Sequence, residues 1–277
     1  RALLHHWRER PFTVRRLSRD TQAPHWDPLA GTVNDTNAPL AALVHLAGAP
    51  IARRWNPSIK KEIYRSRVLG TRTLFQWLSE RKQRPNVVVC ASAIGFYGSR
   101  QNESLTESSA KGTGFLSDVV QDWEREMMRI SELGIRVVIL RLGVVLSPEG
   151  GALAKMLPVF RTGVGGPIGG GKQWVSWIHV QDVLHLIESS IRDQRYHGVL
   201  NVVSPQPIRQ KEFALCLGRA LRRPTRVNTP AIAVQLAMGE MAKETVLASQ
   251  KVFPNRLLDL GFTFEFSTLN KAFAELS

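Results

Sequence analysis

Two hydroxyls and an arginine are the residues of this chain best placed to do chemistry. Ser92 and Tyr97 flank the end of the apolar run Val87 to Cys90, which reads as a buried strand and ends in Ala-Ser-Ala-Ile-Gly. Open parallel sheets gather ligands outside the carboxyl ends of their strands, so these hydroxyls stand where they could polarise a carbonyl or hydroxyl. A strand-end turn with a packed tyrosine fits them equally well. Ser18-Arg19 sits where the second strand of a nucleotide-binding sheet would end. An acid there takes the ribose 2′-hydroxyl of NAD, whereas an arginine accommodates the 2′-phosphate of NADP. Beside Arg15 and Arg16, Arg19 taken alone reads as an exposed basic residue; a Gly-rich loop upstream would reverse that, and its place would lie before Arg1.

Other constellations carry less. Gly166-Pro-Ile-Gly-Gly-Gly171-Lys172 has P-loop spacing up to its lysine, but Gln173 lacks the hydroxyl that would hold Mg²⁺. The residues after Lys172 read as a strand where a P-loop needs a helix N-terminus, so a flexible or closely packed glycine loop is expected. His5, His6, His25, His45, His179, His185 and His197 show no ligand spacing, and no metal site is expected. Asp20, Glu62, Glu107, Asp182 and Glu240 read as caps and surface charges. Cys90 and Cys216 read as core thiols of a reducing compartment rather than a bridge.

The elements that must position these groups alternate between strand and helix. Ala42 to Leu46, Val87 to Cys90 and Arg136 to Leu140 are short apolar runs without polar alternation, as in parallel strands covered on both faces. Phe12 to Leu17 reads as a shorter strand after a helix already under way at Ala2. Helices are expected over about 57–82, carrying Ile59, Ile63, Val68, Leu74 and Leu78, and about 115–132, carrying Leu116, Val119, Val120, Trp123 and Met127. This alternation predicts an α/β, doubly wound parallel sheet of Rossmann type over 1–150. Past residue 146 come the glycine loop, a strand at 173–180, a helix from Asp182 and a strand from Val199 to Val203. The 151–277 part ends as a smaller, mostly helical lobe broken at Pro224, Pro230 and Pro254.

Composition bounds the function. With 43% hydrophobic residues, whole-chain disorder is excluded, and no run of about 18 apolar residues writes a membrane-spanning helix. Lys plus Arg number 37 against 23 Asp plus Glu, a net charge of +14. That balance fits a solvated basic surface, a phosphate-bearing ligand or a nucleic acid.

Read in order, Val44-His-Leu-Ala-Gly48, Ser66-Arg67, Ala91-Ser-Ala-Ile-Gly-Phe-Tyr-Gly98, Leu140-Arg-Leu-Gly-Val-Val-Leu146, Gly163 to Gly171 and Trp177-Ile-His-Val-Gln-Asp182 resemble the epimerase-like atypical short-chain dehydrogenase/reductases. Ser204-Pro205, Arg223-Pro224, Gly239-Glu-Met-Ala242, Gln250-Lys251 and Gly261-Phe-x-Phe264 match the small C-terminal domain of that subgroup. The resemblance implies a Rossmann domain binding NADP(H) and a C-terminal lobe covering the substrate side. Carried over, Ser18 and Arg19 would meet the 2′-phosphate, and Leu46, Ala47 and Gly48 would pass beneath adenine and ribose. Glu62 and Arg67 would contact cofactor, and Val145 would lie near the nicotinamide.

Three departures bear on activity. Aligned on Ser18-Arg19, the chain begins just after the family's Gly-rich pyrophosphate turn; the helix from Phe115 lacks the Tyr-x-x-x-Lys pair; and His45 replaces the usual Asn. Two functions stand as expectations. One is an NADP(H)-dependent oxidoreductase or epimerase on a small substrate, with Ser92 or Tyr97 polarising the reacting oxygen. The other is a non-catalytic basic scaffold in a large assembly, mitochondrial, RNA-containing or respiratory; a mitochondrial matrix suits the free thiols and basicity.

Overall fold

A computed structural model describes residues 2–8, 10, 13–18, 25–28, 30–35 and 38–274. Four parallel strands, Ala42–His45, Val87–Ala93, Arg136–Leu142 and Gly198–Val202, form the central sheet, with 87–93 and 136–142 in the middle and 198–202 beside 136–142. Side chains alternate across a strand, so each strand feeds two layers. Val87, Val89, Val138, Leu140, Leu200 and Val202 pack with Val183, Leu186 and Ile187 of the helix Val180–Arg192. Val88, Cys90, Val137 and Ile139 pack on the other face with Leu74 and Leu78 of Gly70–Glu80 and with Trp123 and Met127 of Phe115–Arg129. Burial on both faces explains the uniformly apolar runs, each full Val, Leu or Ile side chain contributing about 1.5–3 kcal/mol. The expected α/β, doubly wound architecture is therefore present, and among the described residues no helix is long and apolar enough to cross a membrane. Cys90 and Cys216 are free thiols, and burial pushes Cys90 up to about 12.

Three local expectations are corrected. Phe12 lies outside the described residues, and 13–17 form no strand; Ser18 alone bridges to His25, its carbonyl accepting from Trp26 N at 2.8 Å. A strand needs a ladder for its backbone groups, and His25–Asp27 gives its own to Thr32–Asn34 in a hairpin. The helix over 57–82 is interrupted: Pro57–Tyr64 passes through a π turn, Arg65–Leu69, into Gly70–Glu80. The strand at 173–180 divides at Ser176, because Trp174–Val175 pairs with Ile208–Arg209 and Trp177–His179 pairs with Val144–Leu146. The glycine loop behaves as expected. Gly169, Gly170 and Gly171 all have positive φ (60°, 79° and 66°), and the next element is a strand rather than a helix.

Past the sheet, Gln210–Ala220, Ala231–Met238, Glu240–Glu244, Asn255–Asp259 and Leu269–Ala274 make the C-terminal part mostly helical. Asp182, in the first turn of 180–192, is fully buried and accepts from Glu265 N at 2.8 Å and Phe266 N at 3.2 Å. Burial raises its pKa in spite of those two donors.

His45 ends the first sheet strand inside the core. Its Nε2 lies 3.2 Å from Thr71 Oγ1, which accepts from Trp123 Nε1 at 3.0 Å, and the Trp26 ring meets it edge-on. Burial lowers its pKa to about 4. The unfolded chain therefore binds a proton that the folded chain refuses; the stabilisation is complete above pH 6.5 and lost as pH falls towards 4. Urea unfolding should find the protein about 3 kcal/mol less stable at pH 4 than at pH 7 through this group alone. His45→Gln should flatten that part of the profile, and parallel profiles for the two proteins would refute the assignment.

Candidate functional site

The crevice begins where strand 42–45 ends, in Leu46-Ala47-Gly48-Ala49. Asn56 caps the next helix, its side chain accepting from Ile59 N at 2.8 Å, and Pro57 comes at the first helical position, where a missing N–H costs nothing. One turn of this helix is widened at 65–69, a distortion that recurs at functional sites. It brings two side chains against the loop. Ser66 Oγ accepts from Ala49 N at 3.0 Å and donates to Ile63 O at 3.1 Å. Arg67 Nη1 donates to Ala49 O at 3.1 Å and Ile63 O at 3.3 Å, with its guanidinium 5.3 Å from the Trp123 ring centroid. Arg67 meets carbonyls and an aromatic ring but no carboxylate among the described residues, and burial lowers its pKa to about 10. A Cβ on Gly48 would stand 3.1 Å from Arg67 Cζ and Nη2, so only glycine lets the loop lie on the guanidinium.

Leu46, Ala47, Gly48 and Arg67 are thus brought together. Glu62, one turn earlier, is exposed and pairs with Arg53 Nη2 at 2.6 Å. Val145 is half-buried in the strand Val144–Leu146, just past the carboxyl end of 136–142. Ser18 stays with His25, and Arg19 lies outside the described residues.

Ser92 and Tyr97 enter a buried polar network. Arg141 stands in register with Ser92 on one neighbouring strand and Asn201 on the other, so a polar rung crosses three strands at the carboxyl end of an otherwise apolar face. Glu124, from helix 115–129, covers it: Arg141 Nε and Nη2 donate to its two oxygens at 2.8 and 2.7 Å, and Ser92 Oγ donates to Oε1 at 2.6 Å. Arg141 Nη1 donates to the Tyr97 hydroxyl at 2.9 Å, and that hydroxyl donates to Asn201 Oδ1 at 2.7 Å. The Phe96 ring centroid lies 3.5 Å from the guanidinium carbon. Burial pulls the Arg141 pKa down, but the Glu124 bonds outweigh it and the net shift is up; burial raises Tyr97 and keeps the phenol neutral.

Sequence reasoning missed Glu124 and Arg141, although a signal existed. Glu124 interrupts the apolar stripe Val120, Trp123, Met127, and Arg141 interrupts Val-Val-Ile-Leu-Arg-Leu. Opposite charges inside two buried elements call for each other. Glu124→Gln should destabilise the fold by about 3–5 kcal/mol in urea unfolding, because Arg141 would remain as an unpaired buried cation, while E124L/R141L should lose clearly less. Equal losses would refute this pairing.

Residues 1–202 match the family model "NAD dependent epimerase/dehydratase family", and residues 229–276 match "Domain of unknown function (DUF1731)". The chain is 41% identical over 233 residues to "Epimerase family protein SDR39U1 homolog, chloroplastic" of Arabidopsis thaliana, spanning 83% of this chain and 67% of that one. It is 36% identical over 262 residues to "Epimerase family protein Mb2239" of Mycobacterium bovis, spanning 94% and 86%. Its structure is similar to the crystal structure of human epimerase family protein SDR39U1 (isoform2) with NADPH, with a TM-score of 0.91 and 34% identity over 99% of this chain and 94% of that one. With its Rossmann-like sheet and that match over 1–202, the chain belongs to the NAD dependent epimerase/dehydratase family, in its atypical short-chain dehydrogenase/reductase branch.

Proposed function

We propose that this protein binds NADP(H) and acts as an oxidoreductase or epimerase on a small substrate. One observation carries the reading: a largely buried guanidinium, Arg67, without a carboxylate partner among the described residues, lies directly beneath Gly48 at the carboxyl edge of the sheet. A desolvated cation is costly to hold unless something anionic completes it, and a nucleotide phosphate matches a guanidinium's fork of donors. The likeness to a human relative crystallised with NADPH supports the same choice. When bound, the cofactor supplies hydride transfer.

In this proposal Ser18 and Arg19 address the 2′-phosphate, Leu46, Ala47 and Gly48 carry adenine and ribose, Arg67 and Glu62 flank the loop, and Val145 borders the nicotinamide. The 1–150 part is the nucleotide half and 151–277 the substrate side. Ser92 and Tyr97 have already given their hydroxyl protons to Glu124 and Asn201, so we assign them to holding the 94–97 turn beside the reacting centre. The free thiols and basic charge keep the mitochondrial matrix as the proposed compartment.

Titration with NADPH, read by nicotinamide fluorescence, should saturate. Arg67→Ala should weaken binding about ten- to a hundredfold, as expected for a lost charged hydrogen bond, and Gly48→Val should do the same by displacing the guanidinium. Absence of binding, or wild-type affinity in both variants, would sink the proposal.

A further inference from the structure

We propose that the face built from residues 150–171 and 219–238 docks on the anionic surface of a lipid bilayer. The two segments lie side by side: Thr229 N donates to Pro167 O at 2.8 Å, Gly169 N donates to Thr229 O at 2.9 Å, and the Pro224 ring packs over Gly163. Neither contains an acid. No Asp or Glu occurs from Gly150 through Gln181, nor from Phe213 through Gly239. Arg161, Arg219, Arg222, Arg223 and Arg226 are all exposed, and none makes an ion pair or side-chain hydrogen bond among the described residues. Here the +14 charge is concentrated and unanswered.

The same face carries apolar side chains that water should not favour. Val159, Val164, Val227, Ile232 and Leu236 supply half of the large hydrophobics that the described residues expose, and the last two are each 71% exposed. Ile232 and Leu236 stand one turn apart on Ala231–Met238, an uncharged helix that turns Val234 inward and Met238 towards Trp55 and Met241. Arg54 marks its far end, donating to Leu236 O at 3.3 Å.

Aliphatic tips among unpaired arginines suit one occupant. Headgroup phosphates attract the guanidinium groups, whose stems reach up while valine, isoleucine and leucine enter the hydrocarbon boundary. A nucleic acid would answer the charge but not the aliphatics, and it favours exposed aromatic platforms. Phe160, the only aromatic residue in these segments, is buried. A second copy of the chain would set like charges against each other across a twofold axis.

The test is co-sedimentation of the whole protein with phosphatidylcholine vesicles, with and without phosphatidylserine. Binding should appear with phosphatidylserine, fall at least about tenfold without it, and weaken as salt rises. I232S/L236S and R222E/R223E should each reduce binding about tenfold or more, with far-UV circular dichroism and thermal midpoint unchanged, since all four side chains are exposed. Equal binding to both vesicle types would overturn the proposal. So would full binding by I232S/L236S, or a single-stranded RNA that binds and displaces the vesicles regardless of that change. A dimer that I232S/L236S dissolves, without vesicle binding by the wild type, would assign the face to a second copy instead.

Discussion

The bidentate pair between Glu124 and Arg141 holds the working end of this molecule together. Both groups are buried, and each without the other would be a charge stranded in the core. Because Arg141 sits in register between Ser92 and Asn201, the pair locks three strands at their carboxyl ends rather than one side chain to another. It also sets the rotation of helix 115–129 about its axis, since Glu124 must face the sheet while Val120, Trp123 and Met127 keep their apolar contacts. Through Tyr97 it reaches the 94–97 turn, and through Asn201 Nδ2, which donates to Phe253 O at 3.0 Å, it reaches the C-terminal part. A network in which a buried guanidinium spends its donors on three fixed partners is rigid, and a rigid strand end is what a crevice between loops requires.

Arginines in this fold divide by whether a carboxylate answers them. Arg141 has Glu124, and Arg81, equally buried, has Asp35 Oδ2 at 3.0 Å. Arg67 has carbonyls and the Trp123 face, and its pKa is the one driven down to about 10. The same residue type is thus structural in two places and electrostatically incomplete in a third. That incompleteness lies at the loop where an open α/β sheet collects its ligand.

Much of this was legible from residue order alone. Runs such as Val87 to Cys90 declare strands covered on both faces, and Ile59, Ile63, Leu74 and Leu78 declare a helix because their spacing has one physical meaning. The Gly48 and Arg67 pairing was legible only through family resemblance, since the intervening stretch of chain hides the contact until the π turn at 65–69 forms. No periodicity predicts that turn: one extra residue in a helical loop costs little and leaves the apolar pattern nearly unchanged. Residues 13–17 failed as a strand for the opposite reason. Their side chains suit one, but strand formation depends on a partner's backbone, which no local pattern reports. The polar rung of Ser92, Arg141 and Asn201 was hidden because register belongs to pairs of strands.

Scarcity of acid links the fold to its surface. With 23 acids against 37 basic residues, carboxylates placed at junctions are missing elsewhere. Glu244 accepts from Phe115 N at 2.9 Å and Leu116 N at 2.7 Å, so the C-terminal part supplies a negative charge to the start of the helix that carries Glu124. Glu107 Oε1 accepts from Asn201 N and Arg256 N, Lys60 pairs with Glu240, and Asp182 gathers Glu265 and Phe266. Each of these contacts ties a late segment to an early one across more than 80 residues of chain. The carboxylates at such seams hold the lobe onto the sheet by charge-assisted bonds. The cations at 150–171 and 219–238, far from any seam, are left for a partner outside the chain.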